Sequence, residues 1–124
     1  MIAPSLTHTS QLLVTAADTA TAAGSGDMPV LATPRMIALM ENAAMLAVAD
    51  ELDEGLSTVG GEMNVRHLAP TPVGATVEAS ALLVSVEGKR LTFHVTARQG
   101  DKLIGEGTHT RFIVNRLTFL SKLQ

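Results

Sequence analysis

One carboxylate stands where carboxylates are rarely found. Glu41 lies in a segment, residues 35–51, that is crowded with Met, Ile, Leu, Ala and Val and holds neither Gly nor Pro. A stretch that is apolar on every side predicts a helix inside a core. A carboxylate buried there is expensive unless it is paired, hydrogen-bonded or neutralised, so Glu41 needs a reason. The plain reading is an ion pair, either with Arg35 or with a basic residue of a partner chain, and the alternative is a chemical role. Just before the segment, Thr33 offers a hydroxyl. Ahead of Pro34, it also suits a helix cap, with Pro34 at the first helical position, where its missing N–H is harmless.

Four imidazoles complete the reactive inventory. His67 follows the helix on the next strand, where a hydrogen-bonded structural histidine is the plain reading. His8 is near the terminus, and His94 falls on the polar side of its strand. His109, between Thr108 and Thr110, could approach a pocket, but a surface position is favoured. No histidine and carboxylate share a spacing typical of metal ligands, so no metal site is expected. The absence of cysteine removes thiol nucleophiles, disulfides and cysteine metal sites.

A chain of 124 residues fits one domain, residues 1–124. Apolar residues make up 46%, yet only three are aromatic, so Val, Leu, Ile, Met and Ala must fill the core. A net charge of -3 argues against a general nucleic-acid binder, which needs clustered Lys and Arg. The first fourteen residues lack both Lys and Arg, so they do not resemble a signal peptide. Nothing later approaches the roughly 20 apolar residues of a membrane span. A cytoplasmic protein with no membrane association is the default expectation.

The elements that must position these groups are legible from periodicity. Residues 10–15 form a weakly patterned first strand. Residues 16–27, small and polar around Gly24-Ser25-Gly26, predict an exposed connection, with a plain loop favoured over a flap. The helix follows and stops in the acidic stretch ending at Gly55. From Ser57 the period becomes two, and Gly60-Gly61 permits a bulge or a close backbone approach. Residues 70–74 turn the chain. Residues 75–86, 90–98 and 103–116 then read as three strands joined by hairpin turns at Gly88 and Gly100. Layer logic makes this an α+β fold, an antiparallel sheet of about five strands wrapped around one long central helix.

Several stretches together resemble a known family. They are Gly24-Ser25-Gly26, Val30-Leu31-Ala32-Thr33-Pro34, Met40-Glu41, Val59-Gly60 and His67-Leu68-Ala69-Pro70-Thr71-Pro72-Val73-Gly74, with a glycine-containing final strand. The chain is similar along its whole length to the hotdog-fold thioesterases of the fluoroacetyl-CoA thioesterase-like group. That resemblance implies a catalytic set of Thr33, Glu41 and His67, matched in type, order and spacing. It also implies substrate contacts at Gly60, with Val59 and Arg66 beside it, and a homodimer with sites between subunits. Cleaving a thioester needs an attacking oxygen, a group to take its proton and donors for the oxyanion. A hydroxyl, a carboxylate and an imidazole can share those tasks, and a glycine lets the acyl carbonyl reach a main-chain N–H.

The expected activity is hydrolysis of a short or small acyl-CoA to carboxylate and free CoA, with no prosthetic group. The rivals are a non-catalytic acyl-CoA binding or sensing module, which would not need the full trio, and an acyl-thioester hydratase or dehydratase, which needs no nucleophile. No aromatic residue lies between Thr15 and Leu31, so a loop-borne aromatic gate is missing, which argues against a fluorinated substrate. Arg66, Lys89, Arg90, Arg98 and Arg111 are the candidate partners for CoA phosphates. On a helix beginning at Pro34, Thr33 and Glu41 are ~12 Å apart along the axis and ~80° apart around it. A site using both is expected to be completed by a second subunit, or bridged by His67.

Overall fold

A computed structural model describes residues 2–124. Strand β1 (Thr7–Leu13) leads through a 3₁₀ turn (Ala16–Asp18) and a short α1 (Ala20–Ala23) to the long α2 (Thr33–Ala49). Strands β2 (Leu56–His67), β3 (Thr76–Glu87), β4 (Arg90–Gln99) and β5 (Lys102–Asn115) follow, and α3 (Arg116–Ser121) closes the chain. The sheet is antiparallel throughout, in the order β1-β3-β4-β5-β2, and α2 touches all five strands.

The alternating sequences of β3 and β4 account for the core. Val77, Ala79, Ala81 and Leu83, with Leu91, Phe93, Val95 and Ala97, are all buried beneath the helix. The hairpins turn at Gly88 and Gly100, whose φ values of 61° and 59° an L side chain rarely adopts. On β5, Gly105 allows the helix close approach: a Cβ there would lie 2.6 Å from Met36 Sδ. The helix meets the sheet with Met36, Leu39, Met40, Ala43, Ala44 and Val48.

The opposite face of α2 corrects the expectation of a helix buried all round. Met45 and Leu46 are 38% and 40% exposed, and the Glu41 side chain is 43% exposed. Glu41 is therefore not sealed in apolar surroundings in one chain, and its partner is not Arg35, which instead pairs with Asp18 at 3.1 Å.

Three further differences have local causes. β1 starts at Thr7, earlier than hydrophobic alternation indicates, because pairing with β3 holds its polar end and Thr7 Oγ1 donates to the Ala81 carbonyl. The connection after it is more ordered than a plain loop. Asp18 accepts from the Thr15 N–H, Thr19 Oγ1 accepts from the Ala22 N–H at the start of α1, and Gly24 ends α1 in the left-handed region. The terminal α3, absent from the sequence expectation, is capped by Asn115, which accepts from the Thr118 N–H.

Of the two readings of Gly60-Gly61, a bulge is the one present, and it decides which β2 residues face the helix. Gly60 pairs with Arg111 and Glu62 with Thr110, so Gly61 is the extra residue. Positions 60 and 67 differ by an odd number and would face opposite ways on a regular strand. The inserted Gly61 shifts the parity, so that Thr58 and Gly60 before it, and Met63, Val65 and His67 after it, all face inward.

Candidate active site

Thr33 is not the helix cap. Ala32 occupies the cap position without a side-chain bond, and Thr33 is the first helical residue, followed by Pro34. Its hydroxyl is therefore free for another partner, and Oγ1 lies 2.7 Å from His67 Nδ1. Both residues line a cleft of about 370 Å³ between α1, the start of α2 and the chain beyond β2, together with Ser25, Leu31 and Leu68.

Burial holds the His67 pKa below the usual imidazole value of 6.5, against a smaller opposing effect of the Ala69 carbonyl. The ring is thus neutral at neutral pH. His67 Nε2 is buried without a well-aligned hydrogen-bond partner. With the ring hydrogen on Nε2, Nδ1 presents its lone pair to the Thr33 hydroxyl. A neutral imidazole accepting from a hydroxyl is a base positioned to take that proton.

Glu41 belongs to a second cluster. Its Oε2 lies 3.9 Å from Arg111 Nη1. A Cβ added to Gly60 would be 2.8 Å from Glu41 Oε2, 3.3 Å from His109 Cε1 and 3.6 Å from Arg111 Nη1, so only glycine leaves these three groups room to converge. Arg111 is held by Thr58, donating through Nε to Oγ1 at 2.8 Å and through Nη2 to the carbonyl at 2.9 Å. Burial lowers the Arg111 pKa and Glu41 opposes that shift.

The structure thus brings Thr33 together with His67 and Glu41 together with Gly60. Among the described residues, no hydrogen bond or ion pair joins Glu41 to Thr33 or His67, so His67 does not bridge the pair within one chain. Val59 and Arg66 fall on the other face of β2 by strand alternation. Arg66 lies there in a shallow outer groove with His94 and Glu106, on the opposite side from His67.

His109 is the main correction. It is 1% exposed, not on the surface, and bonds to Arg111 and to the Glu62 carbonyl. Arg111 is buried as well and so leaves the set of candidate CoA-phosphate partners, whereas Lys89, Arg90 and Arg98 are exposed. The signal lay in the period of two: Gly105, Gly107, His109 and Arg111 share one face of β5, the face toward the helix.

No group of three His, Cys, Asp or Glu arranged to hold a metal occurs among the described residues, and no helix there is long and apolar enough to cross a membrane.

The two inward histidines set the acid response of the fold. Burial lowers both pKa values, so below about pH 6.5 the unfolded chain binds more protons than the folded one. Stability is accordingly complete above that pH and falls as the solution is acidified. The thermal midpoint is expected to be lower at about pH 5 than at about pH 7.5, and His109→Gln is expected to narrow the difference in a melting series.

Residues 14–117 match the family described as fluoroacetyl-CoA-specific thioesterase, FlK. The fluoroacetyl-CoA thioesterase of Streptantibioticus cattleyicolor is 42% identical over 95 residues, 77% of this chain and 68% of that protein. A solved structure of the fluoroacetyl-CoA thioesterase FlK superimposes with a TM-score of 0.92 at 34% identity, covering 99% of this chain and 96% of that one. A hot-dog-like protein from Thermanaerovibrio acidaminovorans, at 22% identity, TM-score 0.87 and 97% and 89% coverage, shares the fold. With its helix-wrapping five-stranded sheet and its extended match in sequence, the chain belongs to the FlK family of hotdog-fold thioesterases.

Proposed function

We propose that this chain hydrolyses a short or small acyl-CoA to the carboxylate and free CoA, with Thr33, His67 and Glu41 as its catalytic residues and no prosthetic group. The observation that carries the reading is the 2.7 Å contact between Thr33 Oγ1 and Nδ1 of the neutral, half-buried His67 at the wall of a cleft. His67 takes the hydroxyl proton as Thr33 Oγ1 attacks the thioester carbonyl. The C–S bond breaks, the proton passes to the departing CoA sulfur, and an acyl-Thr33 ester is left. Glu41 then takes a proton from the water that attacks this ester, the acyl bond to Thr33 Oγ1 breaks, and the proton returns to that oxygen as the carboxylic acid product leaves. Main-chain N–H groups, at the start of α2 and at Gly60, supply the oxyanion donors.

The two clusters require a partner chain. Thr33 and Glu41 lie ~12 Å apart along one helix. The exposed Met45 and Leu46 face of α2 and the unpaired outer edge of β2 support a two-fold homodimer that brings Glu41 of one subunit to Thr33 and His67 of the other.

The curated relative is named for fluoroacetyl-CoA. The connection before α2 holds no aromatic side chain in the present chain, so the cleft wall formed by Ala20, Ser25 and Val30 favours a small acyl group without selection for fluorine. Release of free thiol from acetyl-, propionyl-, butyryl- and fluoroacetyl-CoA tests this. The expected result is hydrolysis of the short acyl-CoAs with kcat/KM for fluoroacetyl-CoA within about tenfold of acetyl-CoA, the range that one small apolar contact can discriminate. Tight binding with no thiol released from any of them would instead identify a binding module.

A further inference from the structure

His109 has only one protonation state that satisfies both of its neighbours. Nδ1 lies 2.8 Å from the Glu62 carbonyl oxygen, which can only accept, so Nδ1 carries hydrogen. Nε2 lies 3.2 Å from Arg111 Nη1, which can only donate, so Nε2 carries the lone pair. The ring is fixed between them by stacking on Phe93, with centroids 6.3 Å apart. An imidazolium would set an N–H against the guanidinium and place two cations in contact inside the protein. The bulge makes this arrangement possible, because Glu62 is the first residue after the extra Gly61.

Arg111 is thereby held at three of its corners. Thr58 takes hydrogens from Nε and Nη2, and His109 takes one from Nη1. The second Nη1 hydrogen is the one available to Glu41 Oε2, 3.9 Å away. We infer that His109 is a positioning residue: as a neutral acceptor it fixes the Arg111 guanidinium, which in turn holds the Glu41 carboxylate beside Gly60 for the deacylation step. This rests on Glu41 acting in hydrolysis, as proposed above. The charged groups facing the ring are Arg111 on its own strand and Glu41 from α2, while β2 presents the Glu62 carbonyl and β4 the Phe93 ring.

A site without His109 would retain the carboxylate but not its orientation, and a misplacement of about 1 Å can reduce turnover on the order of 100-fold. His109→Leu is expected to lower kcat about 10- to 100-fold with KM changed less than about threefold. His109→Gln, whose amide can donate to Glu62 and accept from Arg111, is expected to restore most of the loss. In wild-type protein, ¹⁵N NMR of the imidazole is expected to show the neutral Nδ1–H form throughout the neutral range. An Nε2–H tautomer or an imidazolium at neutral pH would overturn the inference, and this readout stands even if His109→Leu does not fold. Unchanged kcat in folded His109→Leu, with Glu41→Gln inactive, would overturn it while leaving the catalytic reading intact. Full activity of Glu41→Gln would overturn both.

Discussion

His67→Ala is expected to lower kcat/KM by about 10²- to 10⁴-fold, the range contributed by a positioned general base. The imidazole is the only titratable group within hydrogen-bonding distance of Thr33 Oγ1 among the described residues, so no neighbour can take over the proton. Thr33→Ala is expected to fall into the same range, and Thr33→Ser to retain much of the activity, since the hydroxyl is kept. If the two residues act as one unit, His67→Ala combined with Thr33→Ala loses little more than either alone. Thiol release measured on each variant decides this. Loss confined to KM would mean that the pair only binds substrate, and independent, multiplying losses would mean that Thr33 and His67 serve separate steps. The defect should not be structural. His67 lies at the end of β2 and Thr33 is exposed at the first turn of α2, so neither belongs to the apolar core that holds the sheet and helix together.

What the sequence disclosed follows from which forces act locally. Strands β3 and β4 alternate cleanly because one face meets the helix and the other solvent, and their inward sets are the core. The bulge was legible because paired glycines interrupt the period of two. Its consequence, that Gly60 and His67 face the same way, needed the register with β5. An apolar helix surface does not say whether a face is covered by the chain's own sheet or left exposed, and Met45 and Leu46 are left exposed. Thr33 before Pro34 satisfies the rule for a cap, yet a tertiary contact with His67 claims its hydroxyl. For His109 and Arg111, polarity points to the surface while the period of two points inward, and the period of two decides. Buried polar groups are stable when their partners come from distant segments, and Thr58 and Glu62 are 53 and 47 residues away in the chain.

Mixing subunits separates the two ways in which the clusters could cooperate. Thr33→Ala and Glu41→Gln proteins are each expected to be nearly inactive, because each homodimer lacks the same group in both of its sites. If Glu41 completes the site of the other subunit, a mixed dimer concentrates both lesions in one site and leaves the other whole. Random mixing in equal amounts makes about half of the dimers mixed, so about one quarter of all sites are intact. Activity should recover to about that fraction of wild type, starting from almost none. If instead each chain builds its own site, every site in the mixture keeps one lesion and no recovery occurs. The geometry favours recovery. Glu41 is carried by Arg111 and Gly60 on one part of the molecule, Thr33 and His67 meet on another, and α2 is too rigid to bring its own first turn to its third. Unmixed controls and a measured exchange of subunits fix the baseline. A mixture that exchanges subunits and stays inactive would leave Glu41 serving its own chain, and the exposed face of α2 would then need another occupant.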